Sequence, residues 1–123
     1  MILESEFVDL NTPTGIMRTY VHRPKSTSKF PAILFYSEIF QQTGPIERAA
    51  KILASHGFVV LVPEVFHELN EIGTVLNYDD AGRDKGNADK SEKDVQSYDT
   101  DNQAMIEWIN TQKWSNGHIG AMG

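Results

Sequence analysis

The chain has no cysteine in its 123 residues, which removes disulfides, thiolate zinc sites and a thiol nucleophile from this stretch of polypeptide. Cations are also scarce. Eleven Lys and Arg stand against 17 Asp and Glu, a formal charge of -6, so a general phosphate-binding surface is disfavoured and nucleic acid is not an expected partner. No apolar run approaches the roughly 18 residues that a spanning helix needs, and Met1-Ile2-Leu3-Glu4 lacks the basic and then apolar start of a secretory signal. No membrane partner is expected, and the cytoplasm is the default location. Internal repeats and low-complexity tracts are absent as well. What is present, 40% hydrophobic and 23% charged residues, is the composition of one ordinary globular domain.

Residues 6–10 alternate loosely, Asn11-Thr12-Pro13-Thr14-Gly15 is dense in turn formers, and 16–22 alternate again around Met17, Thr19 and Val21, which predicts an antiparallel hairpin. A polar connection follows over 24–29. Pro31-Ala32-Ile33-Leu34-Phe35-Tyr36 is then a continuous apolar run of strand length, as expected in a parallel sheet covered on both faces. Ile46, Ala49, Ala50 and Leu53 take helical spacing, with Gly57 as the stop, and Phe58-Val59-Val60-Leu61-Val62 is a second buried strand closed by Pro63. Strand, helix and strand with short joins make a βαβ unit, so the fold class is α/β.

From Glu64 to about Glu92 the periodicity disappears, and 77–90 are expected to form a loop or lid over the C-terminal edge of the sheet. Val95, Tyr98, Met105, Ile106 and Ile109 restore a helical stripe, with Asp99 and Asp101 expected on its outer side. Trp114-Ser115-Asn116-Gly117 reads as a turn, and His118-Ile119-Gly120-Ala121-Met122-Gly123 as the start of a third parallel strand. A hairpin and three parallel strands leave the last strand without a covering helix or outer neighbour. The chain is therefore expected to be the N-terminal part of a larger domain, the alternative being a small complete α/β domain ending on its last strand.

Three motifs in order carry a family resemblance. Ser37-Glu38-Ile39-Phe40 after a buried strand is similar to the Glu-Ile-Phe turn of the dienelactone hydrolase (carboxymethylenebutenolidase-like) family of α/β-hydrolases. Phe58 through Pro63-Glu64-Val65-Phe66 resembles that family's next strand and its exit, and Trp114 through Gly123 resembles the turn and strand that lead into the nucleophile elbow. The resemblance implies an α/β-hydrolase fold in which Gly123 is the first glycine of a Gly-x-Cys-x-Gly elbow. The nucleophile would then lie two residues further on, with the acid and histidine of the triad later still. His56, His67 and His118 match none of those positions.

By the same resemblance, Glu38 is the carboxylate that holds a resting thiol and helps to generate the thiolate when substrate arrives, and the Ile39 N–H is one oxyanion donor. Read from the residues alone, Glu38 is a strand-end carboxylate whose commoner reading is a solvated loop acid, and it is the resemblance that reverses this weighting. Arg83, flanked by Asp79, Asp80 and Asp84, is either a surface ion-pair partner or a guanidinium that clamps a substrate carboxylate. The best-known members place an arginine sooner after the second strand, where this chain has His67-Glu68. Tyr78 could line the substrate pocket or anchor the loop. A metal is not expected: the Asp79, Asp80, Asp84 and Asp89 cluster lacks the alternation and closing Glu of a calcium loop, and His67-Glu68 has no second histidine at helical spacing. No cofactor is implied.

The leading expectation is thus a hydrolase of carboxylic esters or lactones, inactive as this chain alone. Its partners would be a small-molecule ester or lactone and the remainder of the domain. The alternatives are a serine esterase or peptidase of the same fold, and a non-catalytic α/β module that binds a ligand or a partner strand.

Overall fold

Two alternating segments joined at Pro13-Thr14 form the first unit, and a computed structural model of the chain shows how the rest is laid against it. The structure describes residues 2–36, 44–64 and 95–122, with Lys85 and Ala88. Strand β1 (Leu3–Thr12) and strand β2 (Gly15–Pro24) pair antiparallel from Leu3 opposite Pro24 to Thr12 opposite Gly15. The Thr12 hydroxyl closes the turn, donating to Gly15 O at 2.7 Å.

Strand β3 (Phe30–Phe35) and strand β4 (Val59–Pro63) run parallel, and helix α1 (Gly44–Ser55) connects them. Pro45 suits the first turn of that helix, where its missing N–H costs nothing, and Glu47 complements the positive end of the dipole. Gly57 ends it at φ +94°, where a Cβ would be strained, and its N–H returns to Ala54 O at 3.0 Å. Helix α2 (Val95–Asn110) leads into strand β5 (Ser115–Met122), which lies parallel to β3. The sheet order is β1-β2-β4-β3-β5.

Among the described residues, each face of the sheet takes one helix. On one, Ile46, Ala50 and Ala54 of α1 cover Phe35, Val60 and Val62; on the other, Met105 and Ile109 of α2 cover Ala32, Leu34, Val59 and Leu61 together with Met17, Val21 and Leu10. Strand β4 is buried at all five residues. That is why its sequence is a continuous apolar run and not an alternation.

Two expectations are corrected. Strand β5 starts at Ser115 and includes His118, because the turn formers Asn116 and Gly117 are taken up as a bulge: Phe30 pairs with Ser115 but Ala32 already pairs with Ile119, and Gly117 sits at φ +88°. The Asn116 carboxamide accepts the His118 N–H at 2.9 Å there. Asp101 is not on the outer side of α2. It is 3% exposed, on the same stripe as Met105 and Ile109, one and two helical turns further on.

Candidate functional site

In an open α/β sheet, ligands are met outside the carboxyl ends of the parallel strands, at the place where the strand order reverses. Here that place is β3. The chain passes from β3 to β4 on one side and then returns across it to β5 on the other, so the ends of β3 and β5 form the crevice.

Tyr36, the first residue past β3, fixes that crevice from two directions. Its N–H donates to Met122 O at 2.9 Å, extending the register in which Phe35 pairs with Met122. Its hydroxyl donates to the side-chain oxygen of Asn102 on α2. Burial and the nearby Asp101 carboxylate push the phenol above its ordinary value of 10, so it stays a proton donor across the neutral range. The end of β3, the end of β5 and the helix that precedes β5 are therefore tied at one residue.

At the end of β4 the corresponding residue is Glu64, only 2% exposed. Its N–H donates to Arg18 O at 2.8 Å and its carboxylate accepts the Tyr20 hydroxyl at 3.2 Å. Burial, followed by the Glu64 charge, raises the Tyr20 phenol above 10. Arg18 makes a two-pronged ion pair with Asp9, at 2.9 and 3.1 Å, and lies 3.9 Å over the Phe7 ring. That pairing, chiefly the hydrogen bond, lowers the Asp9 carboxyl below its usual 3.8. Sequence reasoning gave Glu64 no role. The signal was there in the Pro63-Glu64 pair, since an acid directly after a fully buried run is held at a strand end.

The sequence-derived site residues Glu38, Ile39, Tyr78 and Arg83 lie outside the described residues, as does the expected loop over 77–90. Of the aromatic residues near the sheet, Tyr36 stands at this edge, whereas Trp108 packs against the core, its ring 5.9 Å from that of Trp114. His56 and His118 are exposed, His56 just past the end of α1 and His118 within β5. Among the described residues no three His, Asp or Glu side chains gather as a metal site, and no helix is long and apolar enough to cross a membrane.

This strand order, with helices on both faces and the crevice at β3, defines an α/β-hydrolase type of sheet. The profile of the dienelactone hydrolase family matches residues 17–123. A candidate carboxymethylenebutenolidase of Saccharomyces cerevisiae is 37% identical over 130 residues, covering all of this chain and 47% of that protein. The chain belongs to the dienelactone hydrolase family. Its fold is shared by a dienelactone hydrolase-like promiscuous phosphotriesterase from metagenomic libraries, with a TM-score of 0.70 at 17% identity over 98% of this chain and 48% of the other. It is shared also by a candidate dienelactone hydrolase of Klebsiella pneumoniae, at TM-score 0.68 and 14% identity over 99% and 50%. The chain spans about half the length of the relatives it matches.

Proposed function

We propose that the protein carrying this chain hydrolyses carboxylic esters or lactones at the crevice between the ends of β3 and β5, through a nucleophile two residues past Gly123. The observation that supports this most is the Tyr36–Met122 bond, because it sets the two strand ends side by side where an elbow and an oxyanion turn have to meet. On this reading the nucleophile attacks the carbonyl carbon. The negative charge that develops on its oxygen is received by the Ile39 N–H and by the N–H after the nucleophile. The alcohol leaves, an acyl-enzyme remains, and water activated by a histidine outside this chain releases the acid.

Glu38, two residues past Tyr36, is assigned to thiol activation. In full-length protein Glu38→Gln is expected to lower kcat/KM for p-nitrophenyl esters by about tenfold or more, about 1.4 kcal/mol of transition-state stabilisation, with unchanged folding. An unchanged kcat/KM would return Glu38 to a solvated loop acid. Arg83 is assigned to an anionic substrate group, and Tyr78 to the lining of the substrate pocket. Arg83→Gln should raise KM for a carboxylate-bearing lactone and leave a neutral ester untouched. A cysteine two positions past Gly123 supports the thiol route, and a serine there the esterase or peptidase alternative of the same fold.

A further inference from the structure

Strand β2 ends in Arg23-Pro24, and the loop that joins it to β3 continues Lys25-Ser26-Thr27-Ser28-Lys29, with 25–29 exposed throughout. It lies at the opposite edge of the sheet from the crevice. Strand β2 is antiparallel to β4, with His22 opposite Val60 and Thr19 opposite Pro63, so its last residues flank the beginnings of the parallel strands. There the loop walls a groove of about 550 Å³ whose lining includes Arg23, Ser26, Ser28, Thr111, Lys113 and Trp114. The far wall is held to the sheet, since the Phe30 N–H donates to Trp114 O at 2.7 Å and the Ser115 N–H to Gln112 O at 3.2 Å. In a chain of charge -6, two cations, Arg23 and Lys113, line this groove, and Lys25 and Lys29 stand in the loop that walls it.

The Ser26 Oγ accepts the Ser28 N–H at 3.1 Å. That bond uses a lone pair and does not engage the hydroxyl proton, so an ester oxygen at the same place would keep it. Arg23 precedes Ser26 by three residues and Lys25 by one, a spacing of cations that kinases selective for basic substrates read by charge. Arg23 is paired with Glu4 at 2.8 Å and Glu6 at 3.4 Å, both at the surface, where such pairs exchange at little cost. Ser28 has only a lysine at the same offset, which cannot offer the two-pronged contact of a guanidinium.

We propose that Ser26 is a phosphorylation site for a protein kinase of this basic-selective class, and that the phosphoserine seats in the groove beside Lys113. In the transfer, Ser26 Oγ forms a bond to the γ-phosphorus of a nucleoside triphosphate as the bridging oxygen bond breaks. The nucleoside diphosphate takes the electron pair, and the hydroxyl proton passes to a carboxylate of the kinase. The added charge of about -1.5 to -2 then faces cations in place of the acidic surface found elsewhere on the chain.

The test incubates full-length protein with the catalytic subunit of such a kinase and magnesium ATP, and maps the phosphate by mass spectrometry. One phosphate on Ser26 is expected, with Arg23→Ala slowing its addition by about tenfold or more. Phosphorus NMR then reports the seat: Lys113→Ala should raise the second pKa of the phosphoserine by roughly half a unit as a neighbouring cation is lost. No incorporation, or phosphate on Thr27 or Ser28 in place of Ser26, overturns the site. A phosphoserine titration unmoved by Lys113→Ala overturns the seat.

Discussion

Tyr36 ties β3, β5 and α2 together, so its hydroxyl is the place to perturb the crevice without disturbing the core. Tyr36→Phe keeps the ring, and with it the apolar contact to the cluster of Leu34, Met105 and Ile109, and removes only the bond to Asn102. An intramolecular hydrogen bond of this kind contributes about 0.5–1.5 kcal/mol net. Both partners are only partly buried, so water can reach the Asn102 oxygen once it is abandoned, and the penalty for a sealed unsatisfied acceptor does not apply. The expected loss is about 1 kcal/mol for Tyr36→Phe. Asn102→Ala should cost a similar amount, and the double variant little more than either alone. Urea unfolding of the four full-length proteins gives the coupling energy, expected at about 0.5–1.5 kcal/mol. If the losses simply add, within about 0.3 kcal/mol, the two side chains do not act as a pair and the crevice is not pinned through Asn102. On the proposed function the same cycle should appear in kcat, because Tyr36 leads into the segment that carries Glu38 and Ile39, while KM for a small neutral ester should stay in place.

Acid lability should come from His22, which is 3% exposed on β2, with Nδ1 2.8 Å from Ser5 Oγ and no hydrogen-bond partner for Nε2 among the described residues. Burial lowers its pKa below 6.5, with Glu47 of α1 opposing that shift and Lys51 adding to it. The unfolded chain then takes up the proton first, so this contribution to stability is intact above pH 6.5 and is lost as pH falls from there through the folded-state value. His22→Gln should flatten the slope of unfolding free energy between about pH 7 and pH 5.5; an equal slope in the variant would show that His22 is not the group responsible. In the core, Leu61→Ala should cost about 3–5 kcal/mol, since Leu61 is fully buried between Val21 and Leu34 on the central strand and leaves a cavity there. Ile106→Ala on α2, at a position 39% exposed, should cost under about 1.5 kcal/mol, and denaturant midpoints would reverse the argument if the two losses were equal.

Strands β3 and β4 and helix α1 could be read from the residues because each is specified locally. An apolar run with no alternation has no solvent face, and Ile46, Ala50 and Ala54 can meet the same partner only on a helix. Strand order is a different kind of fact. Nothing near Val21 says that it will sit beside Leu61, or that β3 will be enclosed by β4 and β5, because those pairings follow from how two helices divide the faces of the sheet. Asp101 shows a related limit: its charge points to solvent, but helical phase prevails, because Asp101 is four residues before Met105 and shares its buried face. At Asn116 and Gly117 the local rule was sound but incomplete, since residues that make a turn also make a bulge when a neighbouring strand is there to pair with the residues on either side.

The burial that makes these strands legible also decides where chemistry can sit. A strand such as β4, enclosed along its whole length, tolerates a charge only where the enclosure stops, and the cost of Glu64 at that point is offset by the Tyr20 hydroxyl. The first residues past β3 and β4 are further held by backbone bonds to neighbouring strands, Tyr36 to Met122 and Glu64 to Arg18. On the proposed function, Glu38 follows Tyr36 by only two residues in the chain, so a change at Tyr36 is expected to register in the chemistry assigned to Glu38. Arg83 stands far beyond Glu64 in the chain, and on the same proposal its substitution should alter which substrate is taken and leave the sheet intact, since binding residues on long connections can vary without disturbing the scaffold.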